Sequence, residues 1–80
     1  MVGIKNELWK LNAGWLAGYT ESKDLQRRIR RYKYAKGWRV MAEYTKNGRV
    51  IGVQFKIPIE QRRSAERMFG VAENKQKQAI

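Results

Sequence analysis

The sequence predicts a small single α+β domain: an N-terminal helix, a two- or three-stranded antiparallel sheet built on an Asn-Gly hairpin, and a C-terminal helix. Three observations predict it. Ile4, Leu8, Leu11, Trp15 and Gly18 recur at spacings of three and four, the period of one helix face. Asn47-Gly48 lies between two runs whose alternate residues are apolar, as a two-residue type I′ hairpin turn requires. Beyond Pro58, residues 60–69 place Ala65, Met68 and Phe69 on one side and charged residues elsewhere, with Gly70 as a cap.

In the first element, Gly14 and Gly18 stand four apart with Ala13 and Ala17 beside them. A glycine inside a helix costs roughly 1 kcal/mol relative to alanine, so two of them predict close backbone approach to another helix. The next segment, residues 26–34, is rich in arginine and tyrosine, and Ile29 is its one aliphatic residue. That composition makes a poor core strand and predicts an edge strand or an extended basic arm. The Asn47-Gly48 turn pairs Lys46 with Arg49 and, outward, Tyr44 with Ile51, Ala42 with Val53, Val40 with Phe55 and Trp38 with Ile57 on the buried face. The other face then carries Arg39, Met41, Glu43, Gln54 and Lys56, with Arg39 directly across from Lys56. The domain spans residues 1–72, and residues 73–80 form a polar tail.

The charge is the strongest functional indication. The chain has 80 residues, a net charge of +11, and neither cysteine nor histidine, which excludes the usual zinc sites and histidine-assisted nucleophiles. Its first 22 residues balance Lys5 and Lys10 against Glu7 and Glu21, so the excess lies beyond them. From Lys23 to Arg39 there are eight basic residues, five of them arginine, against Asp24, and Tyr32, Tyr34 and Trp38 are interleaved. Arginine forks suit phosphate and aromatic rings suit bases. The predicted nucleic-acid contacts are Arg27, Arg28, Arg30, Arg31, Tyr32, Lys33, Tyr34, Lys36, Arg39 and Lys56. An apolar insertion face beside these charges is missing, so a membrane is not the expected partner. No signal peptide is evident, and the expected location is intracellular, organellar or viral.

Leu16-Ala17-Gly18-Tyr19-Thr20-Glu21 resembles the signature of the LAGLIDADG family of homing endonucleases and maturases. Phe55-Lys56-Ile57 followed by Glu66-Arg67-Met68-Phe69-Gly70-Val71 resembles that family's strand-then-helix segment. The resemblance implies a sheet that saddles nucleic acid, and paired helices that bring acids together at a Mg²⁺ site for phosphodiester hydrolysis. By position, Glu21 would be the acid and Ala17 and Gly18 the helix contacts, with two copies meeting through the Gly14/Gly18 face. The chain departs from the pattern after Glu21, where Ser22-Lys23-Asp24 and a basic run follow, and it supplies one matched carboxylate. The expectation is therefore a noncatalytic derivative that binds RNA in preference to DNA within a larger ribonucleoprotein such as a ribosome. The alternatives are a homodimeric metal-dependent DNA endonuclease and a small sequence-specific DNA-binding module, the latter favoured by Gly37-Trp38-Arg39-Val40 and the hairpin.

Overall fold

The computed structural model describes residues 5–72. Four antiparallel strands, β1 (Asn6–Asn12), β2 (Trp15–Thr20), β3 (Arg39–Lys46) and β4 (Arg49–Pro58), form one sheet in the order β1-β2-β4-β3. Two helices, α1 (Lys23–Tyr32) and α2 (Arg62–Phe69), pack on one face of that sheet. The α+β class, the antiparallel sheet, the Asn-Gly hairpin and the C-terminal helix match the sequence-based expectation. The helix of the N-terminal half does not lie where the periodicity put it.

Residues 6–20 are a β-hairpin rather than a helix. Asn12, Ala13 and Gly14 make its turn, and the Asn12 side-chain Oδ1 accepts from the Gly14 N–H at 3.0 Å. Leu8 pairs with Gly18 and Trp9 with Ala17, so the residues that shared a helical stripe divide between two sheet faces. Ile4, the first residue of that stripe, lies outside the described residues, as does the tail at 73–80. The glycines oppose a helix here, each for a different reason. Gly14 serves the turn, whereas Gly18 lies under α2: a Cβ built on it would stand 2.6 Å from Phe69 Cζ and 2.9 Å from Ile57 Cδ1.

Residues 26–34 are not a strand or an arm either: most of the segment is α1. Ser22 caps the helix through its side chain to the Leu25 N–H at 3.1 Å, and Asp24 adds negative charge to the first turn. Leu25 and Ile29, four apart, are both buried against the sheet, and the arginines between them are good helix formers. Gln26 donates from its amide to the Thr20 carbonyl at 3.1 Å, fixing the exit from β2. The core is Leu8, Leu16, Leu25, Ile29, Trp38, Val53, Phe55, Ile57, Ala65 and Phe69. α2 begins at Arg62 after a short 3₁₀ turn, Ile59–Gln61, and Gly70 ends it at φ 70°, its N–H donating to the Glu66 carbonyl at 2.9 Å.

The β3–β4 hairpin agrees with the expected register at both ends and differs in the middle. Lys46 pairs with Arg49, Thr45 with Val50, Val40 with Phe55 and Arg39 with Lys56, as the Asn47-Gly48 turn requires. Between them two irregularities intervene, one at Met41 on β3 and one at Ile51 on β4, so that Ala42 pairs with Gln54, Glu43 with Val53 and Tyr44 with Gly52. Ala42 and Tyr44, expected in the core, therefore lie on the open face. Glu43, expected outside, lies on the helix side, where Arg30 of α1 meets its carboxylate at 3.1 Å. Met41 and Ile51, the extra residues, are both exposed.

Candidate nucleic-acid interface

The helices cover one face of the sheet, and the opposite face bears no element of the described chain. Strand pairing arranges that open face in rows. One row runs Glu7, Tyr19, Gln54, Ala42 across all four strands. The next runs Trp9, Ala17, Lys56, Arg39, and Trp15 beside Pro58 starts a third. Lys56 and Arg39 thus stand side by side, as the turn-based register requires, although like charges in facing positions destabilise a ladder.

Each of those cations lies over an aromatic ring. The Lys56 ammonium is 4.2 Å from the centre of the Trp15 ring, and the Arg39 guanidinium is 5.2 Å from the centre of Tyr34. Both separations lie within the range of cation–π attraction. Arg39 is held further by donating to the carbonyls of Tyr34 and Trp38 at 2.7 and 2.6 Å. The rings anchor the two charges on the sheet and leave their positive field directed at whatever approaches it.

The other predicted contacts fall on α1 and the turn after it. Arg27, Arg28, Arg30 and Arg31 are exposed on the side of α1 away from Leu25 and Ile29, and Tyr32 is 60% exposed. Arg28 pairs with Asp24 at 3.2 Å one helical turn earlier, and Arg30 with Glu43. Such exposed pairs are worth about 0–1 kcal/mol, and an incoming phosphate exchanges with them readily. Lys33 lies over the Trp38 ring at 5.7 Å, and Lys36 ends the short 3₁₀ turn Tyr34–Lys36 that leads into β3. The positive charge follows the chain from the outside of α1, through that turn, to Arg39 and Lys56 on the open face. The ten predicted residues are therefore distributed over a helix surface and a sheet surface joined by one turn, rather than along a single arm.

Gln54 lies on the open face with Arg39 and Lys56, as the turn-based pattern predicts, whereas four aromatic residues that share the face were not predicted there: Trp9, Trp15, Tyr19 and Tyr44. The signal was present in the alternation of Glu7, Trp9 and of Trp15, Ala17, Tyr19, which the three-and-four spacing obscured. Tyr19 and Tyr44 meet edge to face, with ring centres 5.6 Å apart. Gly52 makes room for this, since a Cβ there would overlap the Tyr19 phenol. The Tyr19 hydroxyl donates to Glu21 Oε2 at 2.8 Å. Burial, with the Glu21 hydrogen bond and negative charge adding to it, pushes the Tyr19 phenol up from 10.0 to about 12.

Glu21 follows β2 and is not the last residue of a helix. Its backbone N–H donates to the Lys5 carbonyl at 3.0 Å, and its carboxylate is engaged by Tyr19. Among the described residues no three acidic, histidine or cysteine side chains come together as a metal cluster. The helix face through which two copies were expected to pair is not formed, because Gly14 is in a turn and Gly18 is covered by Phe69. No family model matches the chain, and neither a curated protein nor a solved structure is significantly similar to it.

Proposed function

We propose that this chain is a noncatalytic RNA-binding protein that works as part of a larger ribonucleoprotein. One observation carries the reading: the side-by-side Arg39 and Lys56 on the sheet face that bears no element of the described chain, each backed by an aromatic ring. Two cations placed in facing positions destabilise the free protein and are relieved by a bound anion. The four arginines of α1 extend the positive surface, and the net charge of +11 supplies the long-range attraction. Aromatic rings beside cations on a sheet also favour RNA, whose unpaired bases are commonly read by stacking. The engagement of Glu21 by Tyr19 supports binding rather than hydrolysis as its role.

The experiment is a fluorescence-anisotropy titration with single-stranded RNA at several salt concentrations, without divalent metal. Wild-type protein is expected to bind and to lose affinity steeply with salt, by a log-log slope of about −0.7 per phosphate contacted. Changing Arg27, Arg28, Arg30 and Arg31 together to alanine should lower both affinity and slope, and Arg39→Ala with Lys56→Ala should do so independently. Neither RNA nor DNA should be cleaved when Mg²⁺ is added. Unchanged affinity and slope in both sets of variants, or Mg²⁺-dependent cleavage lost in Glu21→Gln, would overturn the reading.

A further inference from the structure

The open face also holds a concavity of about 440 Å³, lined among others by Glu7, Trp9, Tyr19, Tyr44 and Gln54. That volume falls within the range of small-molecule sites. Its chemistry differs from that of the basic strip beside it. Three walls are aromatic, and the two charges of the lining, the Lys5 ammonium and the Glu7 carboxylate 3.9 Å from it, offset one another. What such walls accept is a flat, uncharged ring.

Gln54 gives the concavity a recognition edge. Its Oε1 accepts from the Tyr44 hydroxyl at 2.9 Å, which fixes the orientation of the amide. Its Nε2 donates to the Met41 sulfur at 3.4 Å, a weak acceptor that a better one can displace. The amide retains a second N–H and a second carbonyl lone pair. A donor and an acceptor presented together match a base with an exocyclic amine beside a ring nitrogen, the pairing by which glutamine reads adenine.

The phosphate side is supplied by the neighbouring row. Lys56 lies two residues along β4 from Gln54, roughly 7 Å at the rise of a strand, and Arg39 stands beside it. We propose that the concavity binds one unpaired amino-bearing nucleobase, adenine first, from a single strand whose phosphates lie on Arg39 and Lys56. This rests on the nucleic-acid reading above and names the form of nucleic acid it takes. A base stacked and paired within a duplex cannot enter a site walled on the sheet, so duplex is the poorer ligand.

The test compares fluorescent oligo(A), oligo(U) of equal length, and oligo(A) annealed to its complement. Wild type should bind oligo(A) about tenfold more tightly than oligo(U), and the duplex more weakly than oligo(A). Gln54→Leu keeps the side-chain shape and should abolish the preference for oligo(A) over oligo(U). Tyr44→Leu, at a 44% exposed position and checked for folding by its melting temperature, should weaken oligo(A) about tenfold through lost stacking. Equal binding of oligo(A) and oligo(U) by wild type, preference retained in Gln54→Leu, no loss in Tyr44→Leu, or tighter binding of the duplex overturns the pocket and leaves the nucleic-acid reading standing. Binding of none of the three overturns both.

Discussion

Gly18 and Tyr19, adjacent on β2, show how one strand serves two faces. Gly18 points its missing side chain at α2, and the Phe69 ring fills the space. Gly18→Ala should therefore cost about 1–3 kcal/mol, since an aromatic ring in a packed core cannot yield as a flexible chain end would. Urea unfolding measures this, and a second change, Phe69→Leu, should recover part of the loss in the Gly18→Ala background while destabilising the wild type. Tyr19 faces the other way, with its phenol raised to about 12. Below pH 10 the phenol is protonated in both folded and unfolded chains, so the contribution to stability is whole. Between pH 10 and about 12 the unfolded chain releases the proton first, and stability falls. Ultraviolet titration should show a late tyrosinate component near pH 12 that Tyr19→Phe removes, together with its share of the alkaline loss of stability.

Elements differ in how openly the sequence declares them. The β3–β4 hairpin was legible because its turn chemistry and its alternation agree: Asn47 and Gly48 adopt φ 54° and 78°, which few other residue pairs tolerate. Gly48→Ala should lose about 1–2 kcal/mol from the left-handed backbone alone, visible as a lower melting temperature with RNA affinity of the folded protein unchanged. The first hairpin was illegible because Ile4, Leu8, Leu11, Trp15 and Gly18 meet a helical template by coincidence. The decisive counter-signal is the two glycines, whose cost in a helix marks a turn at Gly14 and a strand under α2 at Gly18. α1 was missed for the opposite reason. Its apolar stripe is only Leu25 and Ile29, too narrow for periodicity to register among so many arginines, yet its Ser22 cap was there to be read. The site followed the elements: Arg39 opposite Lys56, and Gln54 on the same face, came from the hairpin whose turn was legible, whereas Tyr19 and Tyr44 depended on a first hairpin and two bulges that the sequence pattern concealed.

At the scale of the whole molecule, charge and fold oppose one another. A small domain with a net charge of +11 repels itself, and the ion pairs Lys5–Glu7, Arg28–Asp24 and Arg30–Glu43, each with an exposed member, offset little of that repulsion. Raising ionic strength should therefore raise the melting temperature of the free protein while weakening the proposed binding of RNA, two salt effects of opposite sign in one sample. Calorimetry and anisotropy over the same salt series check both. The paired irregularities at Met41 and Ile51 bear on how such a surface changes over time. In the vocabulary of crystals they are a dislocation pair of opposite sign: the ladder slips by one residue and slips back, so the distortion ends where the pair ends. Outside it, Val40 still meets Phe55 in the core and Thr45 still meets Val50 beside the turn. The stretch between is a contained defect, and its open-face positions Ala42, Tyr44 and Gln54 can change while the lattice on either side keeps its order, with Gly52 alone held fixed by the Tyr19 phenol above it.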